Sequence, residues 1–463
     1  MSPPRDPSPS APAPSRHIAL RTSVPGPRSA ELRRREDAHL APGVQGYALY
    51  AGIAVDSGSG SCLTDVDGNR YLDFIGGIGV GALGHSHPKL VKAVQEQVAR
   101  VSVGSLTSEP RVRLLERLAT HLPAPELDVV QLYSSGAESI ESALRLAKSH
   151  TGKYEFVAFW GGFHGKTLGA LSLMGSTFKR GLGPMAPGAH LIPYADCYRC
   201  PLELRYPSCS LGCVELARKQ LRVASAGAIA AFVVEPVQGT AGNVVPPREF
   251  LPAIRSLARE HDALLLADEM ITGFGRTGSY WAVQHSGTAP DIVAIGKAFG
   301  GGYPLTGLIC SRAIASALPW ATPSGSSSSY GGNPLGAAAG AAALEIIDEE
   351  QLVANAGRVG SAMLERLRGF EEHYGFVGHV RGAGLMIGLE LVRDKKTREP
   401  LAKAATHRIF QECLRRGLLT MAYSASFRIQ PALTLTREAA MEGLDVLSEV
   451  FDLVERERLW QLA

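Results

Sequence analysis

Apolar positions along this chain change period from segment to segment, and the changes outline its elements. Residues 60–74, GSCLTDVDGNRYLDF, place apolar-alternating pieces on either side of Asp67-Gly68, which predicts a hairpin. Farther on, short continuous apolar runs at 129–133, 228–234, 263–267 and 291–295 are separated by stretches of helical periodicity. A strand that is apolar on both faces must be covered on both faces, so these units predict a parallel sheet between helices, an α/β core. From residue 333 an alanine-rich helix, NPLGAAAGAAALEIIDEE, leads out of that core. A strand at 384–392 and amphipathic helices at 401–416 and 436–454 then form an α+β unit that should pack with the N-terminal hairpin. The expected division is a disordered tail at 1–20, a small domain from 21–75 and 335–463, and a large domain at 76–334 between them. No repeat of fixed period is present.

Length and composition narrow the class. At 463 residues the chain is too long for one small core. It has 45% hydrophobic and 20% charged residues, an ordinary globular balance. Lysine plus arginine number 47 against 44 acids, a net charge of +3, so no strong field draws it to nucleic acid or to an anionic membrane. A small or weakly charged partner is expected. No apolar run reaches the roughly 18 residues of a membrane span. The opening MSPPRDPSPSAPAPSR has neither the apolar stretch of a signal peptide nor the composition of a core, so a cytoplasmic location is expected.

Three segments carry candidate chemistry. In PDIVAIGKAFGGGYP, residues 290–304, Lys297 stands between an apolar strand and a glycine-rich turn. Burial there lowers an ammonium pKa, and a neutral amine is what forms a Schiff base with a carbonyl cofactor; a lysine capping a surface strand is the plain alternative. In SSGAESIESALRLA, residues 134–147, a strand ends in Ser-Ser-Gly and a helix starts, with Ile140, Ala143, Leu144 and Ala147 at core spacing. Free N–H groups there could cradle a phosphate, or simply belong to a capped helix. The strand at 263–267 delivers Asp268 and Glu269 at its carboxyl end, where open α/β sheets bind ligands. A carboxylate at that place can keep a pyridine nitrogen protonated, or cap a helix.

These segments belong to an ordered set: YLDF with GHSHP (71–88), SSGAES (134–139), GGFHGKT (161–167), EPVQG (235–239), ADEMITGFGRTG (267–278), GKAFGGGYP (296–304), SYGGNP (329–334) and RGAGLMIGLEL (381–391). In this order the chain resembles the class III pyridoxal-phosphate aminotransferases, which include the 4-aminobutyrate, ornithine and acetylornithine enzymes, over about residues 25–460. The resemblance implies the type I fold of pyridoxal-phosphate enzymes, a large cofactor-binding domain with a mixed, mostly parallel sheet plus a small α+β domain. It also implies a homodimer with active sites at the interface, a small-molecule amino donor and an oxo acceptor. By position, Lys297 would form the Schiff base and shuttle protons, and Asp268 would pair with the pyridinium nitrogen. Ser135, Gly136 and Ala137 would serve the phosphate, and Ser329, where relatives usually carry threonine, would reach it from the partner subunit. Phe163 would stack on the ring, Met270 would cover its other face, and Glu235 would lie beside it. No metal takes part.

Arg428 matches the arginine that in relatives grips an α-carboxylate, a bidentate task suited to guanidinium. The 4-aminobutyrate and ornithine branches pair it with a glutamate five residues after the first; that place is Thr240 here. Ile271 replaces a common glutamine, making the pocket less polar. Transfer of an amino group from an amine or amino acid is therefore the leading expectation, with racemisation or epimerisation, amination of an oxidised sugar, and cofactor binding without turnover as alternatives. Cys197, Cys200, Cys209 and Cys213 are spaced for tetrahedral zinc, for two disulfides, or for reduced thiols in a cytoplasmic loop.

Overall fold

Seven strands build the central sheet: β1 Val129–Tyr133, β2 Glu155–Phe159, β3 Ala189–Ile192, β4 Ile229–Val234, β5 Leu264–Asp268, β6 Ile292–Ile295 and β7 Thr306–Cys310. They are seen in a computed structural model that describes residues 17–175 and 177–461. The strand order is β1-β7-β6-β5-β4-β2-β3. Strand β7 runs antiparallel to β1 and β6, and every other pairing is parallel. All residues of β2, β4, β6 and β7 are buried, which is why β4 and β6 read as unbroken apolar runs.

The two faces of the sheet bury alternate side chains. Phe232 and Val234 pack with Leu221, Ile254 and Leu257 from the helices Gly212–Ala224 and Phe250–Glu260. Ala231 and Val233 pack on the other side with Ile140, Ala143, Leu144 and Ala147 from the helix Gly136–Thr151. Because β7 is antiparallel to both its neighbours, β1 points the same way as β4, β5 and β6. Residues 134–136, Glu235, Asp268 and Lys297 therefore gather at one edge of the sheet.

Two smaller sheets flank the core. Val55–Ser59, Cys62–Asp65 and Arg70–Asp73 form antiparallel pairs, and Leu418–Leu419 joins the last of them in parallel. The hairpin turn is closed by Asp65, whose Oδ1 accepts N–H bonds from Asp67 and Asn69 at 2.9 and 2.8 Å. In the second sheet, Met386–Asp394 pairs with Val377–Ala383 and with Ser426–Ile429, setting Arg428 opposite Gly388.

The expected disordered tail lies outside the described residues up to residue 16. Residues 17–20 depart from that expectation. The His17 imidazole meets Glu442 at 2.6 Å, the His17 and Ile18 N–H groups donate to the same carboxylate, and Ala19 bridges Arg70. A charge-assisted anchor holds a segment whose composition alone argues for disorder. Among the described residues no helix is long and apolar enough to cross a membrane.

Candidate active site

A cleft of about 620 Å³ opens over the carboxyl edge of the sheet. Lys297 follows β6 directly and opens a single tight turn, Lys297–Gly300, with φ +48°. A non-glycine residue in that left-handed region carries strain of about 1–3 kcal/mol, tolerated where the surroundings fix a functional side chain. Burial lowers the Lys297 ammonium pKa; the Asp268 and Glu235 charges oppose this, and the Arg428 and Arg276 charges reinforce it. The strand end thus supplies an amine biased toward its neutral, nucleophilic form.

Strand β5 sends its two acids to opposite places. The Asp268 Oδ2 meets His164 Nδ1 at 2.8 Å, and its Oδ1 accepts the Met270 N–H at 3.1 Å. Burial alone would lower the His164 pKa, but the hydrogen bond and charge of Asp268, helped by Glu235, raise it. Asp268 is in this way oriented by a buried imidazole and turned toward the cleft. Sequence reasoning misses His164; the signal that could have found it is its place within GGFHGKT.

Glu269 points away from the cleft, accepting the Val283 N–H at 2.9 Å and the Thr272 hydroxyl. Burial pushes its carboxyl up to about 7 from 4.5. A raised folded-state value means stability present below the unfolded value and lost as pH climbs toward 7, by about 3 kcal/mol at most. Glu269→Gln, which preserves a hydrogen-bond acceptor and adds a donor, should flatten this slope and raise the melting temperature at about pH 8. Thermal melts across that range test it; an unchanged slope would refute the assignment.

The helix Gly136–Thr151 aims its amino end into the cleft. Ser135 caps it, its Oγ accepting the Glu138 N–H at 3.2 Å, while Glu138 Oε2 accepts from the Ser134 N–H and hydroxyl at 2.9 and 2.8 Å. The N–H groups of Gly136 and Ala137 precede any intrahelical acceptor and combine with the helix dipole into an anion site. A Cβ at Gly136 would lie 3.3 Å from the Met270 Sδ, so a larger residue there would have to push that thioether aside.

Glu235, after β4, accepts N–H bonds from Phe163 at 2.8 Å and Gly239 at 2.9 Å. Burial raises its carboxyl pKa against the lowering effects of His164 and these two donors. Phe163 lines the cleft and makes an edge contact with Phe178, ring centroids 5.7 Å apart. Met270 and Ile271 line it too. Ser329 is exposed and outside this cleft.

Arg428 reaches the cleft from the second small sheet, as do Thr240 from the loop after β4 and Tyr50 and Tyr423. Burial lowers the Arg428 pKa, and the neighbouring Tyr423 and the more distant Glu235 oppose that. Among the described residues Arg428 forms no ion pair. The neutral Thr240 leaves its charge available.

The four clustered cysteines line a separate cavity of about 20 Å³. All are free thiols, and among the described residues no group of three or more His, Cys, Asp or Glu is placed to hold a metal ion. Burial, then the neighbouring thiols, pushes Cys197 up to about 11. Arg199 of the same segment donates to Glu390 at 2.9 and 3.0 Å, and Glu390 also pairs with Arg381 at 2.6 Å.

The family model for aminotransferase class-III matches residues 46–451. The chain belongs to the class III aminotransferases. This aminotransferase is 34% identical to the leucine/methionine racemase of Thermococcus litoralis, over 89% of this chain and 93% of the relative. It is 35% identical to the 5-aminovalerate aminotransferase of Pseudomonas putida, over 86% and 93% respectively. Its fold superposes with a TM-score of 0.84 and 31% identity on the PLP-bound amine transaminase of an uncultivated Pseudomonas species, covering 89% of this chain and 98% of that one. It is a transaminase of the type I fold, with pyridoxal phosphate as cofactor. The donor set fits that cofactor: an amine of lowered pKa for its aldehyde, a helix amino end for its phosphate, a carboxylate for its ring nitrogen and an aromatic ring for its face. When bound, the cofactor supplies an electron sink for the carbon from which the amino group leaves.

Proposed function

We propose that this transaminase exchanges amino groups between α-amino acids and 2-oxo acids, with Arg428 holding the α-carboxylate in both half-reactions. The observation that carries this is Arg428 inside the cleft with no carboxylate partner among the described residues, in a cleft it shares with Thr240, where a glutamate would mask it. Lys297 binds the cofactor and moves the proton at the substrate α-carbon. Asp268, held by His164, pairs with the ring nitrogen. Ser135, Gly136 and Ala137 bind the phosphate, Phe163 and Met270 enclose the ring, and Glu235 lies beside it. Ser329, exposed on this chain, completes the phosphate site of a second copy in a homodimer, and the enzyme works in the cytoplasm. Substrates such as glutamate with 2-oxoglutarate, or alanine with pyruvate, meet the carboxylate requirement; an oxidised sugar does not.

Arg428→Met should lower kcat/KM for α-carboxylate substrates about 10- to 150-fold, the worth of one charged hydrogen-bonded contact of about 1.5–3 kcal/mol. An unaltered value would overturn the reading. The relatedness to a racemase supports a second reading, in which the α-proton is returned to the other face. Incubating one enantiomer of alanine or leucine without any oxo acid separates the two, since inversion without amino transfer supports racemisation.

A further inference from the structure

The loop after β4 and the strand carrying Arg428 are joined by a buried pair of side-chain amides. Gln430 Nε2 donates to Asn243 Oδ1 at 2.6 Å, and Asn243 Nδ2 donates to the Ile387 carbonyl at 2.8 Å. Both amides are 0% exposed. Ile387 pairs with Ile429, so Asn243 grips the strands on both sides of the register that places Arg428. Gln430 lies two residues beyond Arg428, and in an extended chain residues so spaced face the same way. Its N–H donates to the Phe74 carbonyl at 2.9 Å, and its own carbonyl would lie 2.7 Å from a side chain at Gly76, whose neighbours Gly77 and Ile78 line the cleft.

At the other end, the Asn243 N–H bonds the Gly239 carbonyl at 3.1 Å, and the Gly239 N–H donates to Glu235. Arg381 clamps the loop from behind, donating to the Gly242 and Asn243 carbonyls at 2.7 and 3.2 Å. A continuous run of hydrogen bonds therefore leads from Glu235 in the cleft to the strand of Arg428.

We propose that Gln430 and Asn243 are positioning residues that fix Arg428 for the substrate carboxylate. The inference rests on the proposed role of Arg428. A carboxylate at position 240 would orient the guanidinium but neutralise it; two amides orient its strand and leave its charge free. Among the described residues the Gln430 Oε1 has no partner, and an unsatisfied buried acceptor of this kind is expensive for packing alone, which favours a positional use.

The test compares two carbonyl reagents on the holoenzyme, followed by cofactor absorbance without turnover. Aminooxyacetate carries a carboxylate for Arg428, and hydroxylamine does not. Gln430→Met should slow aminooxyacetate about tenfold relative to hydroxylamine, and should add nothing in an Arg428→Met background. Asn243→Gly keeps a residue suited to φ +54° and should act alike, serving as the test if Gln430→Met does not fold. An unchanged reagent ratio, or equal slowing of both reagents, would overturn the positioning role. If Arg428→Met itself leaves the ratio unchanged, the reading of Arg428 fails instead.

Discussion

Lys297→Ala should abolish the absorbance of the cofactor–enzyme Schiff base and lower turnover by about 10⁴-fold or more, because in the proposed mechanism one side chain supplies both the covalent link and the proton transfer. The cleft also contains Lys166, but that residue is exposed and lies 5.1 Å over the Phe178 ring, away from the end of β6. Small amines added to the variant should restore part of the rate, since the missing group is an unhindered amine. Absorbance and single-turnover kinetics check this, and undiminished turnover would remove Lys297 from its role.

Asp268→Asn should lower kcat about 10²- to 10³-fold while the cofactor stays bound, the size of effect expected from removing one preorganised electrostatic contact. The substitution is nearly isosteric: its amide oxygen can keep the Met270 N–H and its NH2 can donate to an unprotonated His164 Nδ1, so geometry changes little and charge changes by one. Its second consequence concerns His164. Burial depresses this imidazole, and the hydrogen bond and charge of Asp268 do most to lift it again, so in the variant it should titrate at lower pH. Kinetics and imidazole NMR read the two effects separately; a loss of kcat below tenfold would end the proposed pairing with the ring nitrogen.

The fold is most legible where burial on both faces leaves an unbroken apolar run. Strands β1, β4, β5 and β6 fall within a residue of the expected segments, and Lys297 and Asp268 stand at the strand ends where the pattern puts them. The antiparallel direction of β7 is not legible from the residues, since period and burial are the same for either direction; only the family resemblance carries it. Nor can periodicity tell Asp268 from Glu269: one carboxylate enters the cleft and its neighbour turns into the core, a difference set by the turn after β5. The Asn243–Gln430 pair joins positions 187 apart, and a polar contact of that separation leaves no local pattern. Residues 17–20 read wrongly as tail because Glu442, which holds them, lies at the far end of the chain.

Glu390 ties the cysteine-bearing segment to the deepest part of the molecule. Arg199 reaches it from that segment, and Arg381, which clamps the Gly242–Asn243 backbone, reaches it from the other side. One buried carboxylate is thus shared between two guanidiniums, one of them supplied by the segment that carries the cysteines. Replacing Arg199 would leave Glu390 to Arg381 alone, so the cysteine-bearing segment and the loop that carries Asn243 answer to one carboxylate.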